Sequence, residues 1–236
     1  MSGERICIAL DYPTRAEVIA HARRFAPRVG WLKIGLEAFV TSGPSVVSEV
    51  AELGPKVFLD LKLHDIPSTV GAAVEAVAGS GAAMVNVHAL GGRAMLEAAR
   101  EAAVRSHLSA LVAVTLLTSL DAPALADLPI AGHPEGIARR LALLARQCRL
   151  DGVVCSAADL ASIRSACGAD FLTVVPGIRP AGSSADDQRR IATPAAAIAA
   201  GADLLVVGRA VTAAADPDAA LDAVLAEIEG ASAERD

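Results

Sequence analysis

The chain has 236 residues, a length that suits one α/β barrel and is long enough to bury a large core without disulfide or metal staples. Hydrophobic residues make up 53% and aromatics only 3%, so the core must be built from Ala, Val, Leu and Ile. A net charge of −6 excludes a general nucleic-acid or membrane-surface binder, which needs a broad basic face, but leaves room for a local anion pocket.

The opening Met-Ser-Gly-Glu-Arg has no apolar h-region, so no signal peptide is expected. The first apolar run, Ile6-Cys-Ile-Ala-Leu10, reads as a buried strand and stops at Asp11; an amphipathic segment over 15–25 follows. Further β-type runs begin near Trp31, Val57, Ala83, Leu111, Gly152, Phe171 and Leu204. Helical segments are expected over 44–53, 69–79, 95–106, 135–148, 158–166, 193–200 and 219–229. Eight alternations of short continuous apolar runs with helices imply a parallel sheet, and eight units in this length favour a closed (β/α)8 TIM barrel. It is expected to be one domain over 1–230, with a frayed polar tail over 231–236.

Two irregular stretches, 118–134 and 177–188, fall after the fifth and seventh strands, on the face that carries active sites in such barrels. The second is rich in Pro, Gly and Ser and suits a mobile lid. Cysteines 7, 148, 155 and 167 form neither a CxxC pair nor a zinc spacing, and read as reduced core residues of a cytoplasmic protein. No run of about 18 uncharged apolar residues predicts a membrane span.

Charges inside buried strands are costly and need a reason. Asp11 ends the first run, Lys33 lies in the second, and Asp60 and Lys62 end the third, with Asp65 three residues on. All five fall at or near the carboxyl ends of strands 1 to 3. Asp60 and Lys62 are two apart, so regular strand geometry points both side chains the same way, with Lys33 in reach from the neighbouring strand. The expected result is an array of alternating charge: Lys33, Asp60, Lys62 and Asp65. One such pair alone reads as a structural ion pair at the rim, whereas five charges on three consecutive strand ends read as function. Of 21 basic residues only Lys33, Lys56 and Lys62 are lysine, the cation that can surrender its proton when its environment is tuned.

The eighth run ends in Gly208, followed at once by Arg209, and Arg179 and Gln188 lie after the seventh. A strand-end Gly lets backbone N–H groups approach an anion, and barrels often hold phosphate beyond strands 7 and 8. A phosphorylated small substrate is the reading. His64 and His88 read as structural, and His21, His107 and His133 as surface positions. No metal spacing and no dinucleotide fingerprint appear, so neither metal nor cofactor is expected.

At these residues the sequence resembles the orotidine 5′-phosphate decarboxylase family, in its bacterial branch. The resemblance runs nearly end to end through Ala9-Leu-Asp11, Leu32-Lys-Ile-Gly35, Asp60-Leu-Lys-Leu-His-Asp-Ile-Pro67 with Thr69, Leu117-Thr-Ser119, Pro176-Gly-Ile-Arg-Pro180, Asp187-Gln-Arg189 and Val207-Gly-Arg209. Leu63 departs from the aromatic residue that relatives often carry there.

The resemblance implies cofactor-free loss of CO2 from orotidine 5′-phosphate to give UMP, the last step of pyrimidine nucleotide synthesis. It implies that Lys62 protonates C6, Asp60 sits against the substrate carboxylate, and Lys33 holds the network and touches the ribose. Asp11 would bind a ribose hydroxyl, Thr118 would lie near the base, and Arg179, Gly208 and Arg209 would hold the phosphate, with Gln188 bridging phosphate and base. Asp65 and Thr69 would enter from the partner subunit of a homodimer; Ile66 and Pro176 count with the substrate contacts. The alternative is a metal-dependent sugar-phosphate decarboxylase or synthase of the same suprafamily, for which Glu37 is the extra carboxylate. A non-catalytic phosphate-ligand sensor is a third reading, and it would need no Lys between two Asp.

Overall fold

Strand β1 (Ile6–Ala9) is four apolar residues, and all four are buried. Helix α1 (Arg15–Phe25) starts on a Thr N-cap: Thr14 Oγ1 accepts the Glu17 N–H at 3.3 Å and donates to the Glu17 carboxylate at 2.5 Å. The helix then turns Val18, Ala22 and Phe25 inward. The computed structural model of the chain, which describes residues 2–180 and 191–233, repeats this strand-then-helix unit around a ring.

The remaining strands are β2 (Trp31–Gly35), β3 (Lys56–Leu63), β4 (Ala82–His88), β5 (Ala110–Val114), β6 (Gly152–Val154), β7 (Leu172–Val175) and β8 (Leu204–Val207). They pair in sequence order, all parallel, and β8 closes on β1 with Cys7 opposite Val206, so the expected (β/α)8 barrel is the fold. The main outer helices are α3 (Ser45–Ala51), α4 (Pro67–Ala78), α5 (Gly92–Arg105), α7 (Pro134–Gln147), α8 (Leu160–Cys167), α9 (Pro194–Ala199) and α11 (Pro217–Ala233), and the described residues also form α2 (Leu36–Ser42), α6 (Ala122–Ala126) and α10 (Arg209–Thr212). Helix α6 lies within the stretch read as irregular, and α11 continues to Ala233, into the segment expected to fray. Among the described residues no helix is long and apolar enough to cross a membrane.

The core has two shells. Alternate strand residues such as Cys7, Ala9, Phe58, Met84, Val112 and Val206 fill the barrel interior. Their neighbours face outward and pack under the helices, with Val46, Val50, Leu96, Ala99, Ile163 and Leu221 fully buried between sheet and helix. Trp31, Ala110 and Leu172, at the starts of β2, β5 and β7, cap the floor of the interior, and Lys56 Nζ lies 5.3 Å above the Trp31 ring. All four cysteines are free and buried. His21, expected at the surface, instead stacks on Tyr12 at 4.1 Å and 9°, because its turn of α1 faces the residues that follow β1.

Candidate active site

The inward-facing residues turn polar at the carboxyl ends of β2, β3 and β4. Lys33 is 7% exposed, Asp60 is buried, and Asn86 is fully buried. The Asp60 carboxylate is the centre. Its Oδ1 accepts from Lys62 Nζ and from Asn86 Nδ2, each at 2.7 Å, while Oδ2 lies 3.3 Å from Lys33 Nζ. Lys33 Nζ also donates to Asp11 Oδ1 at 2.9 Å. Gly35 makes that pair possible, since a Cβ there would run into the Asp11 carboxylate.

Burial opposes the charge on Lys33, but Asp60 and Asp11 outweigh it and hold its pKa above the ordinary lysine value. Burial likewise pushes Asp60 up, yet Lys33, Lys62 and the hydrogen bonds from Lys62 and Asn86 prevail and keep it below the ordinary carboxylate value. The Cys7 thiol beneath them is pushed up by burial and stays protonated. Lys33 Nζ, the Asp60 carboxylate and Lys62 Nζ form one continuous ion-paired row.

Lys62 does not reach this row by simple strand alternation. The β3–β4 register slips between Leu59↔Val85 and Leu63↔Val87, so three residues of β3 stand opposite Asn86 alone. Lys62 sits in this bulge at φ 52°, a left-handed conformation costing a non-glycine residue about 1 kcal/mol. Its N–H is taken by the Asn86 side-chain oxygen at 2.7 Å. The bulge re-aims the side chain, so the ammonium meets Asp60 while the side chain stays 39% exposed.

Above the row opens a cavity of about 520 Å³, within the range of small-molecule sites. Asp11, Lys33, Asp60, Lys62, Thr118, Pro176, Arg179, Gly208 and Arg209 all line it. Arg179 is held by its backbone: its N–H donates to Ala192 O at 2.9 Å, and Ala192 N–H donates back to Gly177 O at 3.2 Å. Arg179 and Arg209 give the β7–β8 side a guanidinium character suited to an anionic group. Glu37, in the first turn of α2, also lines the cavity.

Other expected site residues stand elsewhere. Asp65 does not join the charge array: the chain turns outward past β3, and the Asp65 carboxylate accepts the Ile66 N–H at 2.6 Å. Asp65, Ile66 and Thr69 are exposed and do not line this chain's cavity. Gln188, with most of the expected lid over 177–188, lies outside the described residues. The residue missed is Asn86; a lone carboxamide in the apolar run Ala-Ala-Met-Val-Asn-Val-His was the available signal, since Asn is depleted from strands. His64 and His88 stack at 5.4 Å beside the site.

The profile of the "Orotidine 5′-phosphate decarboxylase / HUMPS family" matches residues 4–224. An orotidine 5′-phosphate decarboxylase from Halorhodospira halophila is 53% identical over 228 residues, which is 96% of this chain and 97% of that protein. One from Chromobacterium violaceum is 52% identical over 224 residues, covering 94% and 91%. Among solved structures, the orotidine 5′-phosphate decarboxylase of Lactobacillus acidophilus matches with a TM-score of 0.83 at 33% identity, covering 95% of this chain and 99% of that one. An uncharacterized conserved protein from Geobacillus kaustophilus matches at 0.82 and 40% identity, covering 94% and 99%. With a match this long in both sequence and barrel, the chain belongs to the orotidine 5′-phosphate decarboxylase / HUMPS family.

Proposed function

We propose that this carboxy-lyase converts orotidine 5′-phosphate to UMP and CO2 without a cofactor, with Lys62 as the proton donor. The observation that carries the reading is the Lys33–Asp60–Lys62 row on one wall of a cavity that also bears Arg179 and Arg209. The relatives that carry this activity in their names support it.

In this mechanism the bond from C6 to the carboxylate breaks, CO2 leaves, and the electron pair stays on C6. No π-system can delocalise that pair. The Lys62 ammonium stabilises it electrostatically and then transfers a proton to C6, and the resulting amine regains its proton from water. Asp60 faces the departing carboxylate and fixes the Lys62 ammonium, and Lys33 keeps Asp60 ionised and touches the ribose, whose hydroxyl Asp11 binds. Thr118 and Pro176 flank the base. Arg179, Gly208 and Arg209 hold the phosphate, and Gln188 bridges it to the base. Phosphate binding energy drives closure and water exclusion at the reacting carbon.

A homodimer with shared sites completes the reading. Asp65, Ile66 and Thr69 stand exposed, Ile66 at 63%, and would serve the neighbouring subunit's cavity. Mixing inactive Lys62→Ala and Asp65→Ala chains should then restore activity, approaching about a quarter of wild-type sites for random two-fold pairing. No recovery after refolding the mixture would refute shared sites. A cytoplasmic location, as in pyrimidine nucleotide synthesis, accords with four free, buried cysteines.

Glu37 in the cavity is the feature that favours the metal-dependent alternative. Against it, Asp60 is flanked by two ammonium groups and an amide donor, an environment that repels a divalent cation. The deciding experiment follows the absorbance change of orotidine 5′-phosphate with purified protein in excess chelator. Full turnover is expected; loss of turnover that returns with Mg2+ would overturn the cofactor-free reading.

A further inference from the structure

Asn86 is a fully buried carboxamide in a strand that is apolar up to its final His88, and it is tolerated there only when its polar atoms are satisfied. Its oxygen accepts the main-chain N–H of Lys62, and its nitrogen donates to the Asp60 oxygen that also accepts Lys62 Nζ. The three residues close a ring: Asn86 to the Lys62 backbone, along the Lys62 side chain to Asp60, and back to Asn86.

We propose that Asn86 is a positioning residue for decarboxylation, one carboxamide setting both the bulged backbone that aims Lys62 and the plane of the Asp60 carboxylate that Lys62 leans on. This rests on the reading of Lys62 as the proton donor. The bulge gives the argument its force. Lys62 lies at φ 52° where the β3–β4 ladder slips, so its N–H needs an acceptor that a regular ladder would otherwise supply. Asn86 supplies it from the partner strand. Without that acceptor the bulge can relax, and the ammonium shifts relative to the reacting carbon; a displacement of this kind slows chemistry far more than it weakens binding. Asp60 is then faced by Lys33 from β2, Lys62 from β3 and the Cys7 thiol from β1, with Asp11 behind Lys33.

The test compares wild type, Asn86→Ala and Asn86→Asp for kcat, KM and the pH profile of kcat/KM with orotidine 5′-phosphate, alongside UMP affinity and urea unfolding. Asn86→Ala should lower kcat by roughly 10- to 100-fold, as for a displaced reacting group, with KM and UMP affinity nearly unchanged. Asn86→Asp is near-isosteric and keeps the acceptor for the Lys62 N–H while setting a second carboxylate against Asp60. It should move the acid limb of the profile to higher pH. If Asn86→Ala fails to fold, the Asp variant carries the test through that limb. Wild-type kcat and an unmoved acid limb in the folded variants, with only stability reduced, would overturn the proposal. A wild-type protein that releases no CO2 from orotidine 5′-phosphate would instead overturn the reaction on which it rests.

Discussion

This barrel holds charge at both of its ends, and the two clusters are wired differently. At the floor, Arg164 of α8 donates to the carbonyl oxygens of Ala169, Phe171 and Gly201 and to Asp203, whose carboxylate also accepts the Thr173 N–H at 2.7 Å. Those partners are mostly backbone carbonyls near the strand starts, joined by the Asp203 carboxylate and the Thr173 hydroxyl, and the cluster ties α8 to β7 and β8. At the mouth, the Lys33–Asp60–Lys62 row is bonded chiefly to itself and to Asn86, and it lines a cavity. A cation that ends on carbonyls closes loops; one that leans on a single carboxylate beside a cavity keeps the capacity to act on a guest. Lys62 carries a left-handed φ within the mouth's own strand, whereas His107 and Arg149, the other described non-glycine residues with positive φ, simply end α5 and α7.

The contrast can be broken from either end. The largest effect is expected from Lys62→Ala, which should cut turnover by at least about 10⁴-fold, since the proposed mechanism draws both charge stabilisation and the proton from this one group. Its unfolding midpoint should barely move, and near-normal UMP formation would end the division of roles. Arg209→Ala should weaken binding of the phosphorylated substrate by about 2–3 kcal/mol, the scale of a charge-assisted contact, read as a higher KM. An unchanged KM would remove Arg209 from the anion site.

Arg164→Ala inverts the pattern. It should lower stability by about 2–4 kcal/mol, by stranding carbonyls and the Asp203 carboxylate, with kcat per folded molecule unchanged. Lost kcat without lost stability would mean the floor takes part in chemistry.

The smallest effect is one of pH. Burial, with His64 and Lys62 adding to it, holds the His88 pKa down to about 4 against 6.5 unfolded. Between those values the unfolded chain binds the extra proton, so stability is complete above 6.5 and declines as the pH falls towards 4. Asp60, with its pKa depressed, adds a further loss at still lower pH, below the ordinary 3.8. His88→Gln should flatten the upper part of a urea-midpoint profile; an unchanged slope would locate the titration elsewhere.

The eight strands were legible because parallel strands covered on both faces read as unbroken apolar runs, and each begins within about one residue of its expected start. Helix α2 was not legible. It follows Gly35 without a loop, and Leu36 and Val40 on it are 61% and 72% exposed, which spoils the apolar-in, polar-out pattern. The meeting of Asp60 with Lys62 was expected, but for a reason that does not hold: alternation assumes a regular ladder, and the contact depends on a bulge. Asn86 was open to the same alternation, which places it inward two residues after Met84, but an uncharged amide in an apolar run gives a weaker signal than a charge. Asp65 lay beyond what spacing can fix, since the turn after β3 sends its side chain outward.

The sole tryptophan of the chain, Trp31, closes the floor with Lys56 above its ring, two residues before Lys33 on β2. The molecule thus carries its own optical probe of barrel integrity, on the interior layer beneath the cavity. Indole emission reports whether the ring of strands is closed, independently of any turnover. Folding and turnover can therefore be read separately in one cuvette.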